Sequence, residues 1–150
     1  GNEAANALRT AFDIRMEYAH LGLTESHDTL QQMMNLINIL LLSKDAGNAK
    51  IVLEQYESLV LEHLSDNSLD YGICKLSKGI IDMMEGTPES AEVNLLAAES
   101  IIGNAVGTDN DYMKTTYRYL NNLYARWKKP EKAIEYRDKF LGVKQSVLKQ

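Results

Sequence analysis

Three alanines, Ala49, Ala91 and Ala133, stand 42 residues apart, each just inside a stretch of helical periodicity. The last two lie in near-copies, "TPESAEVNLLAA" (87–98) and "KPEKAIEYRDKF" (129–140), with proline, glutamate and alanine at the same offsets. Ahead of the three alanines run "KDAGN", "EGTPES" and "KKPEK", which are turn chemistry. Thr87 is placed to cap a helix, and Pro88 and Pro130 suit the first helical turn, where a missing N–H costs nothing. Before each turn lies another helix-length segment: 28–43, 69–85 and 112–128. Apolar residues recur there at three- and four-residue steps, as in Met33, Leu36, Ile37, Leu40 and in Tyr117, Leu120, Tyr124. Nothing in the chain alternates with a strand's period. Helix, short turn, helix at a period of about 40 implies an all-α solenoid of stacked antiparallel helix pairs.

The small residues have a steric reason. Two helices joined by a tight turn approach closely beside it, and only a small side chain fits there. Ala98, two turns after Ala91, plays the same part. The third repeat, "ICKLSKGIIDMM", fits the common core pattern only with a turn one residue shorter, which turns Leu76, Gly79, Ile80 and Met83 inward. The expected order is about seven helices. An orphan helix occupies 1–23, and repeats follow at 24–65, 66–107 and 108–150, the last with a polar tail, "GVKQSVLKQ", that extends or caps it. For the orphan, the 42-residue period selects Ala7 as the small contact, whereas the residue pattern selects Ala4.

Composition narrows the function classes. A net charge of −5 argues against a general nucleic-acid binder. The single cysteine, Cys74, excludes an internal disulfide and points to a reducing, intracellular compartment, cytoplasm or organelle lumen. The longest apolar run, "LINILLL" (36–42), is far below the ~20 residues that cross a bilayer, and no leader peptide is visible. The chain opens on Gly1 already in helical pattern and reads as a piece of something larger.

At this point the sequence resembles the tetratricopeptide repeats (TPR), in particular the 42-residue kind found in kinesin light chains. "AFDIRMEYAHLGLTESHD" (11–28) is similar to that family's second-helix ending and following repeat start. "MMNLINILL" (33–41) looks like its asparagine-containing first helix, and "YRYLNNLYARW" (117–127) with "EKAIEYRDKFL" (131–141) looks like a full repeat. The resemblance implies a right-handed superhelix whose first helices line a concave groove. It further implies a protein-interaction domain: a cargo adaptor, a scaffold, or a regulatory domain that restrains an enzyme. The alternative it implies is a peptide-sensing regulatory domain of a larger signalling or transcription-regulating protein.

Catalytic constellations are absent from the sequence pattern. His20, His27 and His63 are scattered, with no His-Glu-x-x-His and no cysteine pair, so neither metal nor cofactor is expected. His27 in "SHD" reads as a helix cap. The glycines at 86, 103 and 107 sit singly in or near turns and build no phosphate loop. Acids are spread over helix surfaces. The methionines at 33, 34, 83 and 84 read as core filler, and most tyrosines as core or inter-repeat packing with the hydroxyl reaching solvent.

Binding is the better-supported role. Arg118, Asn122 and Arg126 recur at i, i+4, i+8, on a stripe away from the apolar face, with Thr115 and Tyr119 flanking it. Gln31, Asn35, Asn38 and Leu42 form the matching stripe of the second repeat, and the shortened-turn register adds Cys74, Lys78 and Ile81, with Cys74 by itself reading as a small buried or groove-lining thiol. Aligned asparagines can hold an extended peptide by its amides, while the arginines and Lys78 favour carboxylates. From Tyr112 to Lys129 the chain carries Lys114, Arg118, Arg126, Lys128 and Lys129 and no acid, in a protein that is acidic overall. The expected partner is a protein or peptide of acidic character, with no nucleic acid or membrane, and with self-association left open.

Overall fold

The computed structural model describes residues 26–143. They form six α-helices: α1 (Ser26–Leu42), α2 (Ala46–His63), α3 (Leu69–Glu85), α4 (Pro88–Val106), α5 (Asp111–Arg126) and α6 (Pro130–Gly142). No strand occurs among the described residues. The fold is all-α and solenoid-like, with sequence-adjacent helices packed in pairs: α1 with α2, α3 with α4, α5 with α6. The chain divides between Ser65 and Asp66 into two compact units. The first holds α1 and α2, the second α3 to α6. The helix expected over 1–23, the choice between Ala4 and Ala7 and the tail beyond Val143 lie outside the described residues, as does the His27 side chain on which its capping role rests.

Each hairpin turn is built the same way. The amide of Asp45 donates to the Leu40 carbonyl, that of Thr87 to Asp82 and that of Lys129 to Tyr124, at 2.8, 3.0 and 2.9 Å. The residue before each donor lies in the left-handed region: Lys44, Gly86 and Lys128, with φ of 58, 74 and 57°. These αL positions close the carbonyls left over at a helix C-terminus, and they too stand 42 residues apart. The shortened turn expected for the third repeat is therefore wrong. Leu76, Gly79, Ile80 and Met83 do face inward, Leu76 as a member of the core and Ile80 and Met83 packed against it. It is the helix face that shifts, by about one position, while the turn is unchanged. Turn register then sets Lys75, Lys78 and Asp82 of α3 beside Tyr117, Leu120 and Tyr124 of α5. Asp82 compensates for its polarity by accepting from Ser90 Oγ at 2.8 Å and Asn94 Nδ2 at 2.7 Å, a polar latch onto α4.

A side chain at φ near +60° costs about 1–2 kcal/mol relative to glycine. Gly86→Ala is therefore expected to lower the unfolding free energy by about 1 kcal/mol in urea denaturation. Lys128→Gly should raise it by less than that, because the lysine's favourable charge at the helix C-terminus is lost with it.

Helix starts follow their caps. Ser68 Oγ accepts from the Tyr71 amide, Asn110 Oδ1 from Met113, and Asp45 Oδ1 from Asn48, at 3.2, 2.9 and 3.1 Å. Thr87 occupies the N-cap position but makes no side-chain cap; its hydroxyl donates back to the Asp82 carbonyl at 3.2 Å. The repeated alanines are buried as their spacing requires, Ala49 and Ala91 at 0% exposure and Ala133 at 8%. In the first unit, Met33, Leu36, Ile37 and Leu40 of α1 are buried, as are Val52, Leu53 and Tyr56 of α2. In the second, one apolar cluster runs from Leu76 through Leu95 and Ile102 to Leu120, Leu123, Tyr124 and Tyr136. Helix α4 approaches α3 closely at two glycines. A Cβ on Gly79 would stand 2.6 Å from Leu95 Cγ and Cδ2, and one on Gly72 would stand 2.7 Å from Ile102 Cγ1.

Candidate partner-binding face

Helix α5 carries the candidate residues on a face set by its core. Asn110 caps its start, Asp111 lies in its first turn and Arg126 in its last, all favourable to the helix dipole. Met113, Tyr117, Leu120 and Tyr124 are buried, which turns Arg118, Asn122 and Arg126 to solvent, where all three are exposed. Among the described residues neither arginine has an acidic partner. The Arg118 guanidinium lies over the ring of Tyr119, 5.2 Å from its centroid. Tyr119 is half-buried against the core, which steadies that ring. Two neighbouring cations are also held on aromatic faces: Lys114 over Phe140 at 5.1 Å and Lys129 over Trp127 at 3.8 Å. Arg126 lines a surface pocket of about 200 Å³ with Met83, Pro88, Leu123 and Trp127.

The other candidates fall out unevenly. In the first unit, Gln31, Asn35, Asn38 and Leu42 are all exposed along α1, and Gln31 Nε2 donates to Asn35 Oδ1 at 3.2 Å. In the second unit Lys78 is half-buried, whereas Cys74 and Ile81 are buried at 0% and 2% exposure. Those two are corrections, because α3 is buried around most of its middle and offers no open stripe there. Turn register matches Arg118, Asn122 and Arg126 with Leu76, Ile80 and Met84. The polar face of α5 thus has apolar counterparts on α3.

No protein-family model matches the sequence, and no curated protein matches it either. Among the described residues, no helix is long and apolar enough to cross a membrane.

Sequence reasoning missed one set of contacts. Acids read as solvated surface are partners of buried tyrosines: Tyr124 donates to Glu92 at 2.7 Å and Tyr136 to Glu99 at 2.8 Å. Lys132 stands 3.8 Å from Glu92, and Lys139 lies 3.3 Å from Glu99 and 3.4 Å from Glu135. These hydroxyls bond to protein, not to solvent as expected. Burial first, and then the glutamate that accepts each proton, holds both tyrosine pKa values above the ordinary one. The only signal in the sequence was that Glu92 and Glu99, seven residues apart, share a face of α4.

Proposed function

We propose that the chain is a non-catalytic, tetratricopeptide-like interaction module whose α5 face receives an acidic segment of a partner protein, in a scaffolding or regulatory role. The observation that carries this reading is the pair of exposed arginines, Arg118 and Arg126, without acidic partners among the described residues, in a protein of 21 acids and 16 basic residues. Lys132 and Lys139 of the same unit, by contrast, are paired with Glu92 and Glu99. Asn122 is exposed between the arginines, where its amide suits a peptide backbone. Guanidinium groups offer carboxylates two parallel hydrogen bonds, so an acidic segment is the partner these residues fit.

The test is a pull-down with the intact chain beside an Arg118→Glu, Arg126→Glu double variant. The variant is expected to lose the partner, with affinity lowered at least about tenfold by charge reversal at two contacts. Recovery of the same proteins in equal yield by both would refute the reading. Binding should also weaken steeply as salt rises from about 0.05 to 0.5 M, because exposed charge contacts are screened.

A further inference from the structure

A second surface lies beside the arginine stripe on the last hairpin. Ala125, Lys128, Pro130, Ala133, Ile134 and Arg137 line an open depression of about 590 Å³ between α5 and α6. Turn register matches them, 42 residues back, with Met83, Gly86, Pro88, Ala91, Glu92 and Leu95 of the α3–α4 hairpin. On that hairpin three of the same places, Ala91, Glu92 and Leu95, are engaged by α5. Ala91 and Leu95 share the core cluster with Leu120 and Leu123. Glu92 accepts from Tyr124, while Met83, Gly86 and Pro88 line a smaller pocket of about 200 Å³ together with Leu123 and Trp127.

The depression is therefore a second copy of a seat that this structure fills with a helix. Four of the six places carry a different residue, Ala125 for Met83 and Lys128 for Gly86 among them. Glu92 is replaced by Ile134, 48% exposed, and the fully buried Leu95 is replaced by the exposed Arg137. Among the described residues Arg137 pairs only with its sequence neighbour Asp138, at 3.3 Å with both side chains more than half exposed, a weak tether. The lining holds two cations and no acid.

We infer that the α5–α6 face docks an amphipathic helix of a partner protein, spaced like α5 but with an acid facing Arg137 and an apolar residue on Ile134. The α4–α5 interface supplies the pattern for the seat, and the positive charge of its lining selects the acid.

The probe is a synthetic 20-residue peptide spanning 110–129 of this chain with Leu120→Glu, titrated into the full protein by fluorescence anisotropy. Saturable micromolar binding is expected, weakened about tenfold by Ile134→Glu or by Arg137→Glu. A peptide with Leu120→Lys should recover binding on the Arg137→Glu protein. Both altered residues are exposed, and circular dichroism checks that the variants fold. Arg118→Glu, Arg126→Glu should leave this titration unchanged, so it succeeds or fails apart from the proposed function. Absence of saturable binding, or equal affinity for all variants, would overturn the inference. Self-association of the chain that Ile134→Glu abolishes would assign the face to a second copy and overturn it as well.

Discussion

Tyr124→Ala is expected to destabilise the second unit by about 3–5 kcal/mol, the ordinary loss for a large buried aromatic. The ring is 1% exposed and stacks on Tyr136 with centroids 5.8 Å apart. Its hydroxyl joins α5 to α4 through Glu92. Removing it opens a cavity in the cluster and leaves the carboxylate without its donor. Tyr124→Phe separates the two contributions: it keeps the ring and should cost about 1.5–3 kcal/mol, the range for a hydrogen bond to a charged group. Urea denaturation of the three proteins reads both numbers. A loss below 1 kcal/mol for the alanine variant would mean that the contact between α4 and α5 does not depend on this residue.

The same tyrosines set a pH dependence. Both folded pKa values are raised, so below the unfolded value near 10 the contribution is fully present. Above that value the unfolded chain releases protons that the folded chain keeps, and stability falls as pH rises further. A Tyr124→Phe, Tyr136→Phe variant should show a flatter profile above about pH 10.

Gly79→Val should cost about 2–3 kcal/mol, for a different reason. A Cβ there would stand 2.6 Å from two atoms of Leu95, itself 0% exposed, so neither helix can yield without displacing the core. Gly79→Ala has opposing terms. Helix propensity favours alanine by about 1 kcal/mol, while overpacking costs about 1–3, leaving a smaller net loss. Combining it with Leu95→Val tests the mechanism, because a shared clash makes the two changes non-additive. Strict additivity would show that the glycine is not there for close approach.

Much of the fold was legible before any coordinates. Ala49, Ala91 and Ala133 announced buried helix starts, and the three- and four-residue apolar steps located α1, α3 and α5 within a few residues. Arg118, Asn122 and Arg126 were legible as an exposed stripe, because a face opposite Tyr117, Leu120 and Tyr124 must be outward on any amphipathic helix. Cys74 and Ile81 were not, since a helix buried on several sides gives periodicity no solvent face to mark. The tyrosine–glutamate bonds were also hidden, because residues 32 and 37 positions apart meet only after helices pack.

Local chemistry thus determined what the chain could decide within one or two turns: which segments are helical, where hairpins reverse, and which alanines lie inside. Even the recurrent left-handed residue was half visible, as Gly86, but its counterparts Lys44 and Lys128 carry no such mark. Only tertiary packing decided the rotation of α3. Gly72 and Gly79 let α4 approach on that face, and close approach is a property of two helices together. It likewise decided which charges stay unpaired. An ion pair needs atoms within a few ångströms, and sequence spacing sets that distance only for neighbours on one helix.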